Sequence, residues 1–103
     1  MNIKISEQFS RHPAGRFFSD GEFSGQRFRE EWLIPALAKD ESLVIDLDDV
    51  RGFGSSFLEE AFGGLVRNGF TPSELKRRIA LKSFDESLKD EIIYYFDHGH
   101  DAS

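Results

Sequence analysis

No cysteine occurs among the 103 residues, which removes disulfides, thiolate zinc sites and cysteine nucleophiles together and fits a cytoplasmic location. Basic residues are outnumbered 13 to 19, and the net charge of −6 has the wrong sign for a surface that collects phosphate backbones or anionic lipid. Neither nucleic acid nor a membrane is an expected partner. Apolar runs extend only a few residues, too short for a membrane-spanning helix. The opening Met1-Asn2-Ile3-Lys4 lacks the apolar stretch of a secretion signal. Catalytic signatures are missing too: no Gly-x-Ser-x-Gly elbow, no Walker loop, no His-Glu-x-x-His and no Gly-x-Gly-x-x-Gly fingerprint. His12, His98 and His100 are the only histidines, so a serine nucleophile has no obvious base. The expectation is a non-catalytic protein without a cofactor.

What the chain does hold is bulk. Leu, Ile, Val and Phe fill 30 positions, and 11 of these are Phe, enough for a packed core without hydroxyl groups to satisfy. The length suits one domain, expected over residues 1–97, with 98–103 as a disordered polar tail. Ile3 and Ile5 alternate with polar neighbours and predict a strand; Pro13-Ala14-Gly15 turns the chain into a second short strand at Arg16-Phe17-Phe18. Ser24 is a plausible N-cap for a helix from about Gly25 to Lys39, with a kink or restart at Pro35, which cannot donate to the Glu31 carbonyl. Leu43 to Leu47 reads as the central strand, covered by helices on its faces. Phe57, Leu58, Ala61, Phe62, Leu65 and Val66 fill one face of a second helix. Thr71-Pro72-Ser73-Glu74 is a capping box with proline at the first helical position. Ile79-Ala80-Leu81 is a further strand, and Leu88, Ile92 and Phe96 mark a last helix that begins near Ser83 or Asp85. The order β-β-α-β-α-β-α predicts an α/β fold with a mixed sheet and helices packed over it.

The junction after the central strand carries the functional expectation, because sites in such folds gather at the carboxyl ends of strands. Ser56 and Glu59 have capping-box spacing, which assigns Ser56 a structural task and leaves Ser55, next to Gly54, with an accessible hydroxyl at the positive end of a helix. Two serines before a helix can equally be alternative caps. Asp46, Asp48 and Asp49 could hold a hard cation; the ordinary reading gives Asp46 hydrogen bonds from the loop and makes Asp48 and Asp49 a solvated turn. No metal is expected. Gly63 and Gly64 inside a helix cost roughly 1 kcal/mol each against Ala, so something approaches the backbone there: a packed internal element or a docking partner. Lys76, Arg77, Arg78 and Lys82 read as a solvated basic face. His98, Gly99, His100 and Asp101 read as a frayed end.

The string from Val44 to Val50, followed by Arg51-Gly52-Phe53 and Gly54-Ser55-Ser56-Phe57-Leu58, resembles the core of STAS domains, the fold of anti-sigma factor antagonists and sulfate transporter tails. More closely, Gly25 to Arg29, Pro35-Ala36-Leu37 and Ser55 to Leu65 are similar to a bacterial STAS-like family without an assigned function, over roughly residues 15 to 97. In the antagonists an Asp-Ser-Ser-Gly-Leu motif opens the helix after the strand, and a partner kinase phosphorylates its first serine. Ser55 stands at that position here, Gly54 replaces the motif's Asp and Phe57 its Gly. The resemblance implies a STAS-like fold and a regulatory protein–protein interaction domain for signalling, with Ser55 as the phosphoacceptor. Its partner would be a regulatory protein such as a serine kinase or an anti-sigma-like factor. The loop of Asp46, Asp48, Gly54, Ser55 and Ser56 would bind that partner, or, in the alternative of a small-molecule or nucleotide sensor, an anion.

Overall fold

Leu43-Val44-Ile45-Asp46 forms the middle of a three-stranded sheet in the computed structural model, which describes residues 1–101. The strands β1 (Asn2–Lys4), β2 (Leu43–Asp46) and β3 (Ile79–Lys82) stand in the order β1-β2-β3 and are all parallel. Register places Ile3, Ile45 and Leu81 in one row and Lys4, Asp46 and Lys82 in the next. Alternation therefore turns Ile3, Leu43, Ile45 and Ile79 into the core, while Val44 and Asp46 stay half-buried on the opposite face. The expected burial of the central strand on both faces is corrected to burial on one.

The second expected strand does not form, so the sheet is parallel rather than mixed. Asp20 Oδ2 accepts the amides of Arg16 (3.2 Å) and Phe17 (2.9 Å), and Phe18–Asp20 closes as a single 3-10 turn. These local bonds use the donors that a strand would offer to a neighbour. Phe17 and Phe18 are left 47% and 43% exposed. Ile5 likewise leaves the strand to open a short helix, α1 (Ile5–Gln8), whose Gln8 Oε1 accepts the Lys4 amide at 2.6 Å.

The helix capped by Ser24, whose Oγ accepts the Arg27 amide at 3.2 Å, runs through residues 25–39 as α2. It is α-helical over Gly25–Phe28, widens to a π turn over Arg29–Leu33 and resumes over Ile34–Lys39 with Pro35 in its first turn. The expected restart thus takes the form of a π turn. A second long helix, α3 (residues 55–67), repeats the arrangement: α over Ser55–Leu58, π over Glu59–Gly63, α over Gly64–Arg67. The reason lies in the spacing of buried residues. Pairs 57/58, 61/62 and 65/66 recur every four positions, and all six are buried; in a pure α-helix each step of four overshoots a turn by about 40°. The wider π turn, bonded five residues back, absorbs the drift and keeps the stripe on the core. Gly25, Arg29, Leu33 and Leu37, all buried, impose the same spacing on α2.

Thr71 and Glu74 form their capping box at 3.1 Å in both directions and start α4 (Pro72–Arg78). Asp85 accepts the Ser87 and Leu88 amides to start α5 (Glu86–His98). The element order is therefore β-α-α-β-α-α-β-α rather than β-β-α-β-α-β-α. Two further expectations change. Arg78 is not part of a solvated face: it donates to the carbonyls of Leu37 (2.6 Å) and Asp40 (3.1 Å) and holds the end of α2. Packing does not stop at Asp97 either, since Gly99 is buried and its carbonyl accepts from Arg67 at 2.9 Å. Ala102 and Ser103, in the expected tail, lie outside the described residues.

Candidate functional site

Asp46 ends β2, and its surroundings decide what the acidic cluster can do. Its Oδ1 accepts the Asp48 amide at 3.0 Å, and its Oδ2 faces Lys4 Nζ and Lys82 Nζ, each at 3.5 Å. Burial pushes the carboxyl up, but the Asp48 amide and the two lysines outweigh it and hold Asp46 below the usual carboxylate range. Asp48 Oδ1 accepts the Phe84 amide at 3.0 Å, and Asp49 Oδ2 meets Lys4 Nζ at 2.8 Å. Asp49 has φ of 68°, a left-handed turn geometry that aspartate tolerates. The three acids are thus clamped to amides and lysines of different strands. Among the described residues, no group of three or more His, Cys, Asp or Glu side chains is placed to hold a metal ion.

Beyond this turn a cleft of about 390 Å³ opens at the carboxyl edge of the sheet, between loop 47–53 and the start of α5; Asp48, Arg51, Phe53, Asp85, Leu88 and Glu91 line it. Glu91 also accepts the Tyr95 hydroxyl at 2.7 Å, and burial together with that carboxylate pushes the phenol up to about 12.

The expected capping box at the start of α3 is absent. Gly54 is the N-cap, Ser55 and Ser56 are the first two helical residues, and no side chain caps the end. Glu59 cannot reach back because Arg67 (2.6 and 3.1 Å) and Arg16 hold its carboxylate. Ser55 and Ser56 are therefore both exposed, their hydroxyls without a capping bond. Gly54 has ordinary backbone angles, and an added Cβ there would meet nothing within 4 Å. Phe57, in contrast, is fully buried among the rings of Phe9, Phe28 and Phe53.

One turn along α3 lies the group of residues that sequence reading missed. Arg29 and Glu60, each 7% exposed, pair at 2.6 Å, and the same Arg29 nitrogen donates to the Glu60 carbonyl at 2.6 Å. The pair joins the two π turns. Gly64 makes room for it, since a Cβ there would overlap the Arg29 guanidinium; a Cβ on Gly63 would stand 2.6 Å from Glu59 Oε2, next to Arg67. The glycines thus meet packed internal groups. Arg16 reaches Glu60 at 3.3 Å, and Arg67 reaches it at 3.6 Å. Burial pushes the Glu59 carboxyl up, but hydrogen bonds from Arg67 and Arg16 outweigh it and lower it overall. Two adjacent glutamates in a buried series with glycines four residues on were the visible signal; nothing in the sequence said which arginines answer them.

Among the described residues no helix is long and apolar enough to cross a membrane. A family model described as STAS-like domain of unknown function (DUF4325) matches residues 24–89, from the cap of α2 into α5 and more than half of the chain. No curated protein and no solved structure matches.

Proposed function

We propose, because the chain belongs to the family of STAS-like domains of unknown function, that it is a non-catalytic regulatory domain of a signalling pathway in the cytoplasm. It works by protein–protein contact in the manner of an anti-sigma factor antagonist. The contact surface is the loop of Asp46, Asp48, Gly54, Ser55 and Ser56, and phosphorylation of Ser55 switches it. The partner is a regulatory protein, a serine kinase or an anti-sigma-like factor. One observation carries the reading: Ser55 is exposed in the first turn of a long helix that no side chain caps. A phosphate there meets the positive helix end, and Asp46 and Asp49 of the acidic turn are already paired with Lys4 and Lys82.

The fold should absorb the modification while a docked partner should not, because covering a new dianion costs desolvation. A loss of about 3 kcal/mol weakens binding on the order of 100-fold. Mass spectrometry of the protein from its native cells should find phosphate on Ser55. Capture experiments should recover the same partner with the unmodified protein and Ser55→Ala, and lose it with Ser55→Glu. Recovery by all three overturns the switch. The uncapped amides of Ser55 and Ser56 also favour a second reading, an anion or nucleotide sensor; a rise in melting temperature with inorganic phosphate or nucleotides, absent with unrelated salts, would establish it.

A further inference from the structure

Three arginines serve the Glu59–Glu60 pair, and two suffice. Arg67 grips Glu59 through two nitrogens, and Arg29 holds Glu60 at 2.6 Å. Arg16 bonds Glu59 Oε1 and approaches Glu60 Oε1 at 3.3 Å. Withdrawing Arg16 leaves neither carboxylate without a cation. Its side chain is one-third exposed, against 9% for Arg29, and it bonds to no carbonyl, whereas Arg29 and Arg67 also hold the carbonyls of Glu60 and Gly99.

Ser55 stands one α-helical turn before Glu59, whose amide bonds to the Ser55 carbonyl. Side chains at this spacing are neighbours, with Cβ atoms about 5–6 Å apart. Ser55 is exposed, and the Arg16 side chain is one-third exposed. A guanidinium prefers the paired oxygens of a phosphate dianion to a shared carboxylate oxygen. We propose that phosphate on Ser55 draws Arg16 away from Glu59 and Glu60, and that this transfer repositions the loop bearing Phe17 and Phe18. The proposal rests on the phosphoacceptor reading of Ser55. A partner kinase supplies the phosphoryl group from a nucleoside triphosphate: Ser55 Oγ bonds to the γ-phosphorus, the β–γ bridge breaks, the nucleoside diphosphate leaves and the hydroxyl proton passes to the kinase's base.

The link from Arg16 to the aromatic pair is short. Residues 16–20 form one hydrogen-bonded unit, with Asp20 receiving the Arg16 and Phe17 amides and its own amide bonded to the Phe17 carbonyl at 2.8 Å. The unit is tethered to α2 by the Gln26 amide on the Arg16 carbonyl and by the Phe18 amide on Gln26 Oε1. Pulling Arg16 toward Ser55 strains these tethers beside two half-exposed phenyl rings. A partner with a complementary apolar patch would sense their new position.

Phosphoserine built into position 55 during synthesis tests the exchange without a kinase. With Arg16 present, phosphorus NMR should place the second ionisation of the phosphate below its usual value of about 6, and Arg16→Gln should raise it. The phosphate should also shift the amide resonances of Phe17 and Phe18, and Arg16→Gln should abolish that response while resonances of residues 55–57 still move. Should Arg16→Gln not fold, Arg16→Lys, which lacks the paired donors, must raise the ionisation in its place. An ionisation indifferent to Arg16 overturns the exchange, and resonances of Phe17 and Phe18 indifferent to the phosphate overturn the coupling to the loop. Neither outcome depends on a cellular kinase; absence of phosphate on Ser55 in native cells is a separate result, which defeats the phosphoacceptor reading.

Discussion

The first turn of α3 and the π turn that follows it are built on opposite terms. At residues 59–64 both carboxylates are held more than once, Glu60 by Arg29 and Arg16 and Glu59 by Arg67 and Arg16, and Arg29 also takes the Glu60 carbonyl, with glycine leaving the space. At residues 54–56 almost nothing is held, and the two hydroxyls and the helix end are open to solvent. Rigid support four residues from a free end lets the free end change its charge without unfolding the helix. Stability and responsiveness are divided along one helix rather than traded at one residue.

The largest effects should fall on the supported side. Phe62→Ala should cost about 3–5 kcal/mol in denaturant unfolding, and Glu60→Ala a loss in the same range by leaving buried Arg29 only the more exposed Glu30 carboxylate, 3.5 Å away, as counter-charge. Replacing Arg29 and Glu60 together with Met and Leu should recover much of the second loss; if it does not, the pair contributes more than mutual neutralisation. Gly25→Ala comes next, at about 1–3 kcal/mol, because its Cβ would stand 2.5 Å from the Phe57 carbonyl. Acid titration then sharpens the contrast. Glu59 is lowered from 4.5 in the folded state, so the stability it contributes is present above about pH 4.5 and is lost as pH falls through its lower folded value. Glu59→Gln should flatten that limb of the stability curve. Smallest of all, Ser55→Ala and Ser56→Ala should each stay within about 0.5 kcal/mol, and Gly54→Asp should gain a few tenths by supplying the missing cap. A loss near 1 kcal/mol from Ser56→Ala would restore the capping role that its spacing suggests.

How much of this was legible follows from what each signal encodes. Local chemistry read well: Ser24, Thr71 with Glu74 and Asp85 cap their helices, and Leu43 to Asp46 forms the middle strand, because caps and apolar runs depend on neighbours in sequence. Ser56 with Glu59 had equally good local spacing and failed, because Arg67, two turns on along the same helix, and Arg16, distant in the chain, claim the glutamate more strongly. Arg16-Phe17-Phe18 looked like a strand because its aromatic content favours one, but Asp20 two residues on takes its amides first. The four-residue rhythm of α3 already contained its π turn, read as helix without its exact pitch. The site divides the same way: Ser55 and the acidic turn were visible, while the arginines around Glu59 and Glu60 come from three separate elements.

The π turns have a consequence for insertions and deletions. Removing one residue from 59–63 would let α3 close as an uninterrupted α-helix, and the seven residues then separating Phe57 from Leu65 would turn through about 700°, within about 20° of two full turns. Phe57 and Leu58 would stay on the core, and Ser55 would keep facing the same side of the surface. A homologue one residue shorter in this segment would align letter for letter on both sides of the gap and still present its serine in the same direction, whereas a gap elsewhere in the helix would turn it by about 100°.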